Sequence, residues 1–225
     1  MKKCPYCNVE LEKIPQRKKK CPNCGDYIWV RTLYKGGKSK GKLLLTEEQA
    51  KEFDKEKRRF YDRENWIKRL YHFDVTEQEF DSETDNLKKQ FGFNPPYADV
   101  AWRILNNRIG LYGQKSDYHK LSSVYHEMAK ITYQENKPFQ HFLEEACRYY
   151  LLTEKDVDSY GKLIVLNCND GLVCPKCREL EGKRFTYQEA FEKKILPVLD
   201  CENTEEGKGA GKGFCRCWYA VEVDL

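Results

Sequence analysis

Cys4-Pro5-Tyr6-Cys7 and Cys21-Pro22-Asn23-Cys24 frame the start of the chain as two Cys-x-x-Cys pairs with thirteen residues between them. Each pair can turn tightly enough to aim two thiolates at one ion, and two such knuckles complete a tetrahedral four-sulfur site. With four thiolates and no open position, the expected zinc is structural. A segment of about 30 residues has too little interior to fold on apolar burial alone, so metal binding would supply most of its folding free energy. The reading is a zinc ribbon over residues 1–34. Arg17-Lys18-Lys19-Lys20 lies between the knuckles, and Tyr27, Trp29, Arg31 and Tyr34 follow them. Basic side chains neutralise phosphates and aromatic rings stack on unpaired bases, so Arg17, Lys18, Lys19 and Lys20 are candidate nucleic-acid-binding residues. The competing reading is a solvated hairpin tip or a protein contact.

A second cysteine group closes the chain. Cys174-Pro175-Lys176-Cys177 is answered about 40 residues later by Cys215-Arg216-Cys217, with Cys201 between them. Along a strand, residues i and i+2 face one side, so Cys215 and Cys217 can reach one metal together. A second zinc is expected on Cys174, Cys177 and two of Cys201, Cys215 and Cys217, with Cys168 the least suited ligand. Cys147 stands alone in an apolar helical pattern and reads as a small hydrophobe. The chain holds 11 cysteines, and no apolar segment follows its Met1-Lys2-Lys3 start. The expectation is a cytoplasmic protein of a bacterial host or phage, in which clustered thiols hold metal rather than form disulfides.

The run Cys174-Pro-Lys-Cys177-Arg-Glu-Leu-Glu-Gly-Lys-Arg-Phe185, closing in Cys215-Arg-Cys217, resembles the C-terminal motif of the phage Mu F family of head-morphogenesis (minor capsid) proteins. That motif joins a CxxC, a "leucine, acidic, glycine, lysine, x, phenylalanine" stretch and a terminal CRC, and the resemblance covers about 50 residues. In the family a His-Pro usually precedes the CRC, where this chain has Gly213-Phe214. The resemblance implies a head-morphogenesis role with phage capsid components as partners.

Between the cysteine modules the pattern is helical. Lys35-Gly-Gly-Lys-Ser-Lys-Gly-Lys42 has the composition of a connector, so residues 35–45 are expected to be a flexible linker. Thr46-Glu-Glu-Gln49 reads as a capping box opening a long helix, and Thr76-Glu-Gln-Glu79 opens a second that stops near Gly92. Three more helices are expected at about 97–112, 118–136 and 138–152. Val100, Ile104 and Leu105, then Leu121, Val124 and Met128, then Phe142, Leu143 and Ala146 form their apolar stripes, with Pro138 at a first helical position. A helical body is therefore assigned to residues 46–160. From Leu163-Ile-Val-Leu166 the pattern turns strand-like, and residues 161–225 form the C-terminal cysteine-rich module. The predicted class is α+β: a small zinc ribbon, a mainly helical middle and a zinc-stabilised αβ module.

Composition narrows the function. A charged fraction of 34% and a mean hydropathy of -0.83 exclude a membrane-spanning chain. Residues 1–40 carry 11 Lys and Arg against 3 Asp and Glu, whereas the whole chain is only +4, so a polyanion would meet the N-terminus. His126-Glu127 begins like a metalloprotease helix, but Lys130 stands where the second histidine is needed. The glycine-lysine run Gly207–Gly213 lacks the Ser or Thr of a phosphate loop. Cys177-Arg-Glu179 lacks the downstream partner motif of a zinc deaminase. A nuclease borrowing carboxylates such as Asp99, Glu127 or Asp170 is the remaining enzymatic reading. The chain is thus expected to be a non-enzymatic adaptor with two zinc ions, contacting nucleic acid or a protein partner through its ribbon.

Overall fold

The computed structural model describes residues 2–35, 38–169, 173–202 and 213–223. Gly36-Gly37 of the expected linker, Asp170 and most of the glycine-lysine run lie outside these residues. The fold is mixed α+β, with two three-stranded antiparallel sheets and a larger helical share. It divides into two compact units, Met1–Asn65 and Trp66–Leu225.

In the first unit, β1 (Lys19–Lys20), β2 (Tyr27–Lys35) and β3 (Lys38–Leu45) form a sheet in that order. The stretch expected as a flexible linker is therefore largely a strand. Leu43, Leu44 and Leu45 pair with Arg31, Val30 and Trp29, and Leu44 packs on the small core of Cys4, Leu11, Cys21 and Ile28. Lys35 pairs with Lys38. The register shifts between Leu33 and Tyr34, opposite Gly41, whose φ of 132° is one that glycine takes readily. α1 (Glu47–Leu70) opens on the expected capping box. Gln49 N–H donates to Thr46 Oγ1 at 3.2 Å, and Thr46 N–H to Gln49 Oε1 at 3.0 Å. The Arg31 guanidinium clasps Asp54 with two hydrogen bonds of 2.7 and 2.5 Å, joining β2 to α1.

The second unit begins with the end of α1 and continues through α2 (Glu77–Phe91), α3 (Tyr97–Gln114), α4 (Tyr118–Gln134) and α5 (Gln140–Thr153). Local chemistry sets the boundaries. Thr76 Oγ1 accepts from Glu79 N–H at 3.1 Å, and Asp117 Oδ1 from Lys120 N–H at 3.1 Å. Gly92 closes α2 with a left-handed φ of 76°. Pro138 precedes α5 by two residues instead of starting it, because Phe139 is the N-cap. Leu70, Phe80, Val100, Ile104, Leu105, Leu121, Val124 and Met128 form the core of this helical layer.

A second sheet has the order β5-β4-β6, with β4 (Gly161–Leu166), β5 (Arg184–Phe185) and β6 (Trp218–Val223) all antiparallel. β4 alternates in burial, turning Gly161, Leu163 and Val165 inward. Two short helices, α6 (Pro175–Leu180) and α7 (Tyr187–Lys193), join β4 to β5 and follow β5. The expected boundary at 160/161 is not a break in packing. One core joins Ala129, Tyr133, Leu143 and Leu151 of the helices to Leu163, Val165, Phe214 and Tyr219. The other expected boundary, at 45/46, moves to 65/66 inside α1, because β3 belongs with β2 and the start of α1.

Candidate metal centres

The four N-terminal thiols come together as expected. All four sulfurs of Cys4, Cys7, Cys21 and Cys24 lie within 4.8 Å of one another. The Cys4–Cys24 and Cys7–Cys21 separations are both 3.8 Å. Two matching turns achieve this. Asn8 N–H donates to the Cys4 carbonyl at 3.0 Å, and Gly25 N–H donates to the Cys21 carbonyl at 3.0 Å. Asn8 and Gly25 hold the same place in their knuckles, and both take left-handed φ values, 59° and 79°. Neither was singled out from sequence, yet an Asn or Gly four residues after the first cysteine of each pair was readable there. Asn23 Nδ2 also donates to Cys7 Sγ at 3.4 Å. That contact leads the effects that hold the Cys7 pKa down to about 6, so this sulfur is poised as a thiolate.

The C-terminal group gathers Cys174, Cys177, Cys201, Cys215 and Cys217, all buried. They form two triads that share Cys177: Cys174, Cys177 and Cys201, and Cys177, Cys215 and Cys217. Cys201 Sγ lies 3.8 Å from Cys174 and 3.5 Å from Cys177. Cys174 caps α6, its sulfur accepting from Cys177 N–H at 3.4 Å, so the knuckle is the first turn of a helix. Val198 N–H donates to Cys215 Sγ at 3.3 Å, a contact the sequence did not announce. Hydrogen bonding from Cys177 first, then from Cys201 and Cys217, holds the Cys215 thiol well below its ordinary value. Cys215 and Cys217 were expected on a strand, but β6 begins only at Trp218. They converge on Cys177 from the irregular residues that lead into it.

The other candidates separate clearly. Cys168 stays outside both triads, its thiol donating to the Arg216 carbonyl at 3.6 Å. Cys147 packs against the second core, and burial pushes its thiol pKa up. Among the described residues no histidine or carboxylate joins a metal-ligating cluster. Glu127, one of the borrowed carboxylates considered above, is engaged by Arg69 at 2.5 Å.

Arg17, Lys18, Lys19 and Lys20 are all exposed. Lys18 Nζ lies 3.7 Å from the Trp29 ring centre and 4.7 Å from that of Tyr27, and Lys20 Nζ lies 5.2 Å from Tyr27. Tyr27, Trp29 and Arg31 alternate along β2 with the buried Ile28, so they share its outer face. Among the described residues no helix is long and apolar enough to cross a membrane. Comparisons with family models, curated proteins and solved structures give no match.

Proposed function

We propose that this chain is a non-enzymatic adaptor that holds one zinc ion at each cysteine cluster and contacts nucleic acid through the outer face of its N-terminal ribbon. Zinc is the metal that thiolate-only sets favour in closed structural sites, with metal–sulfur bonds of about 2.3 Å and hence tetrahedral edges of about 3.8 Å. The 3.8 Å sulfur separations at both clusters support that assignment. Thiolates alone leave no open position at the N-terminal site, which supports a structural role there. The interleaving of Lys18 and Lys20 with Trp29 and Tyr27 carries the nucleic-acid reading. Cations placed beside flat rings on one exposed face supply both phosphate neutralisation and base stacking.

The test is binding of a single-stranded oligonucleotide across a salt series. Engagement of Arg17 to Lys20 with four phosphates predicts a log–log slope of about −3, or affinity about 50-fold weaker at 200 mM than at 50 mM salt. Replacing the four with serine should remove that slope, and salt-insensitive binding refutes the reading. A second reading, a head-morphogenesis role, draws on the resemblance of the C-terminal segment. It is favoured by one observation: the CxxC and the CRC of that motif meet at Cys177. Co-sedimentation with phage portal or coat protein tests it.

A further inference from the structure

The two cysteine clusters differ in how their sulfurs are arranged. At the N-terminus all four sulfurs lie within 4.8 Å of one another, as a single tetrahedral ion requires. Among the described residues the five C-terminal sulfurs form no such set of four. They form two sets of three, each within that span, with only Cys177 in common. A single tetrahedral ion takes four thiolates and needs sulfur separations of about 3.8 Å. It would have to draw a sulfur of one triad into the other and would leave a fifth thiol outside its shell. One ion in each triad asks for neither.

Cys177 suits the shared position. It is fully buried at 0% exposure, whereas the other four range from 3% to 8%. It lies in the first turn of α6, with Cys174 at the cap of the same helix, and the remaining three thiols reach it from residues after α7 and before β6. Each triad also has a backbone donor on one of its unshared sulfurs. Cys177 N–H donates to Cys174 Sγ at 3.4 Å, and Val198 N–H to Cys215 Sγ at 3.3 Å. Such donors stabilise a thiolate that touches one cation, while a bridging thiolate has two cations beside it.

Charge favours the same count. Buried charge is costly unless it is balanced. Four thiolates on one divalent ion carry two net negative charges and leave the fifth thiol beside them, whereas five thiolates on two divalent ions carry one. Two monovalent copper ions on the same five would leave three, so a divalent, sulfur-preferring ion fits best. Three sulfurs per ion leave a fourth position on each, which water fills in zinc sites of that kind. A cavity of about 510 Å³, whose lining includes Lys130, Cys215, Cys217 and Trp218, adjoins the second triad.

We propose that the C-terminal cluster holds two divalent ions of the zinc class, one in each triad, with the Cys177 thiolate bridging them. The first of these ions rests on the zinc reading above, and the other goes beyond it. The simpler alternative is one ion on four thiols with the fifth packed as a neutral hydrophobe.

The experiment loads the reduced full chain, without oxygen, with cadmium enriched in its NMR-active isotope as a stand-in for zinc. A competing chelator strips weakly held metal, and elemental analysis counts what remains. Three ions per chain are expected, one from the N-terminal cluster and two from the C-terminal triads. Two of the three cadmium resonances should be split by coupling to each other through the shared sulfur. Cys4→Ser with Cys21→Ser should remove the unsplit resonance and keep the coupled pair, and Cys217→Ser should remove one ion and the splitting. Zinc counted on the chain as purified, with no reloading, should give the same total. Two ions per chain, one of them lost in the N-terminal variant, overturn the proposal and leave the one-zinc reading standing. One ion per chain, lost in that variant, overturns both. Three ions with no splitting place the third away from Cys177 and overturn the proposal as well.

Discussion

Removing the N-terminal metal should melt the ribbon and leave the helices folded. The ribbon's fully buried cluster, apart from its cysteines, is Leu11 and Ile28. Full burial of two such side chains stabilises by about 3–6 kcal/mol. A thiolate-bound zinc contributes about 10–16 kcal/mol in comparable small modules at neutral pH, so the metal would outweigh the apolar core by about 1.7- to 5-fold. The perturbation is Cys4→Ser with Cys21→Ser, which removes one ligand from each knuckle and leaves the C-terminal cluster intact. The assay is amide exchange followed by NMR, because the relevant protons are known. Leu11 N–H donates to the Lys2 carbonyl at 2.7 Å, Cys21 N–H to Asp26 at 2.8 Å, and Cys4 N–H to Val9 at 3.0 Å. In the variant these positions should exchange at unfolded-chain rates while amides of α3 and α4 keep their protection. If Leu11 and Cys21 stay protected, the ribbon has another source of stability and the reasoning fails.

Four further outcomes follow from the second unit. Cys177→Ser should abolish metal binding at the C-terminal cluster, since Cys177 alone belongs to both triads, whereas Cys217→Ser should leave the other triad in place; elemental analysis of metal per chain distinguishes them. Gly161→Ala should separate β4 from β6, because a β-carbon there would sit 2.2 Å from the Glu222 carbonyl oxygen; a cost of about 1–3 kcal/mol is expected in urea unfolding. Thr186→Ala should cost about 1 kcal/mol by removing the cap of α7. The Glu189 carboxylate in that box is held below its ordinary pKa, chiefly by the Thr186 N–H. Its contribution is therefore complete above the usual glutamate range and is lost as pH falls through the lower folded value, and Glu189→Gln should flatten this limb of the pH–stability curve.

Much of the helical layer was legible because its determinants are local. Thr46, Thr76, Asp117 and Gly92 mark helix ends through contacts within three or four residues, and those ends fall where the sequence placed them. The ribbon's thiols were equally readable, since spacing within a knuckle is a local property. The readings that failed concern partners distant in sequence. Lys38–Leu45 looked like a tether because its composition is Gly- and Lys-rich, and only pairing with β2 makes it a strand. The boundary at 160/161 looked natural because the periodicity changes there. Phe214 nevertheless packs against Phe139 and Tyr133, more than 70 residues earlier, and local pattern carries no trace of such contacts.

That shared core distinguishes the two cysteine clusters physically. The N-terminal cluster belongs to a core of four buried residues, two of which are themselves ligands. The five C-terminal thiols lie in the cluster that also holds Ala129, Tyr133 and Leu143 of α4 and α5 and Leu163 and Val165 of β4. Burying five thiols is tolerable for neutral sulfur but not for several thiolates at once, so a bound metal would permit this packing to carry charge. Losing the first metal should therefore abolish one local surface. Losing the second loosens the packing between β6 and the helices, and with it the cavity lined by Lys130 and Trp218. A metal at the periphery of its unit would act as a local staple, whereas one inside a shared core would couple the packing around it to metal occupancy.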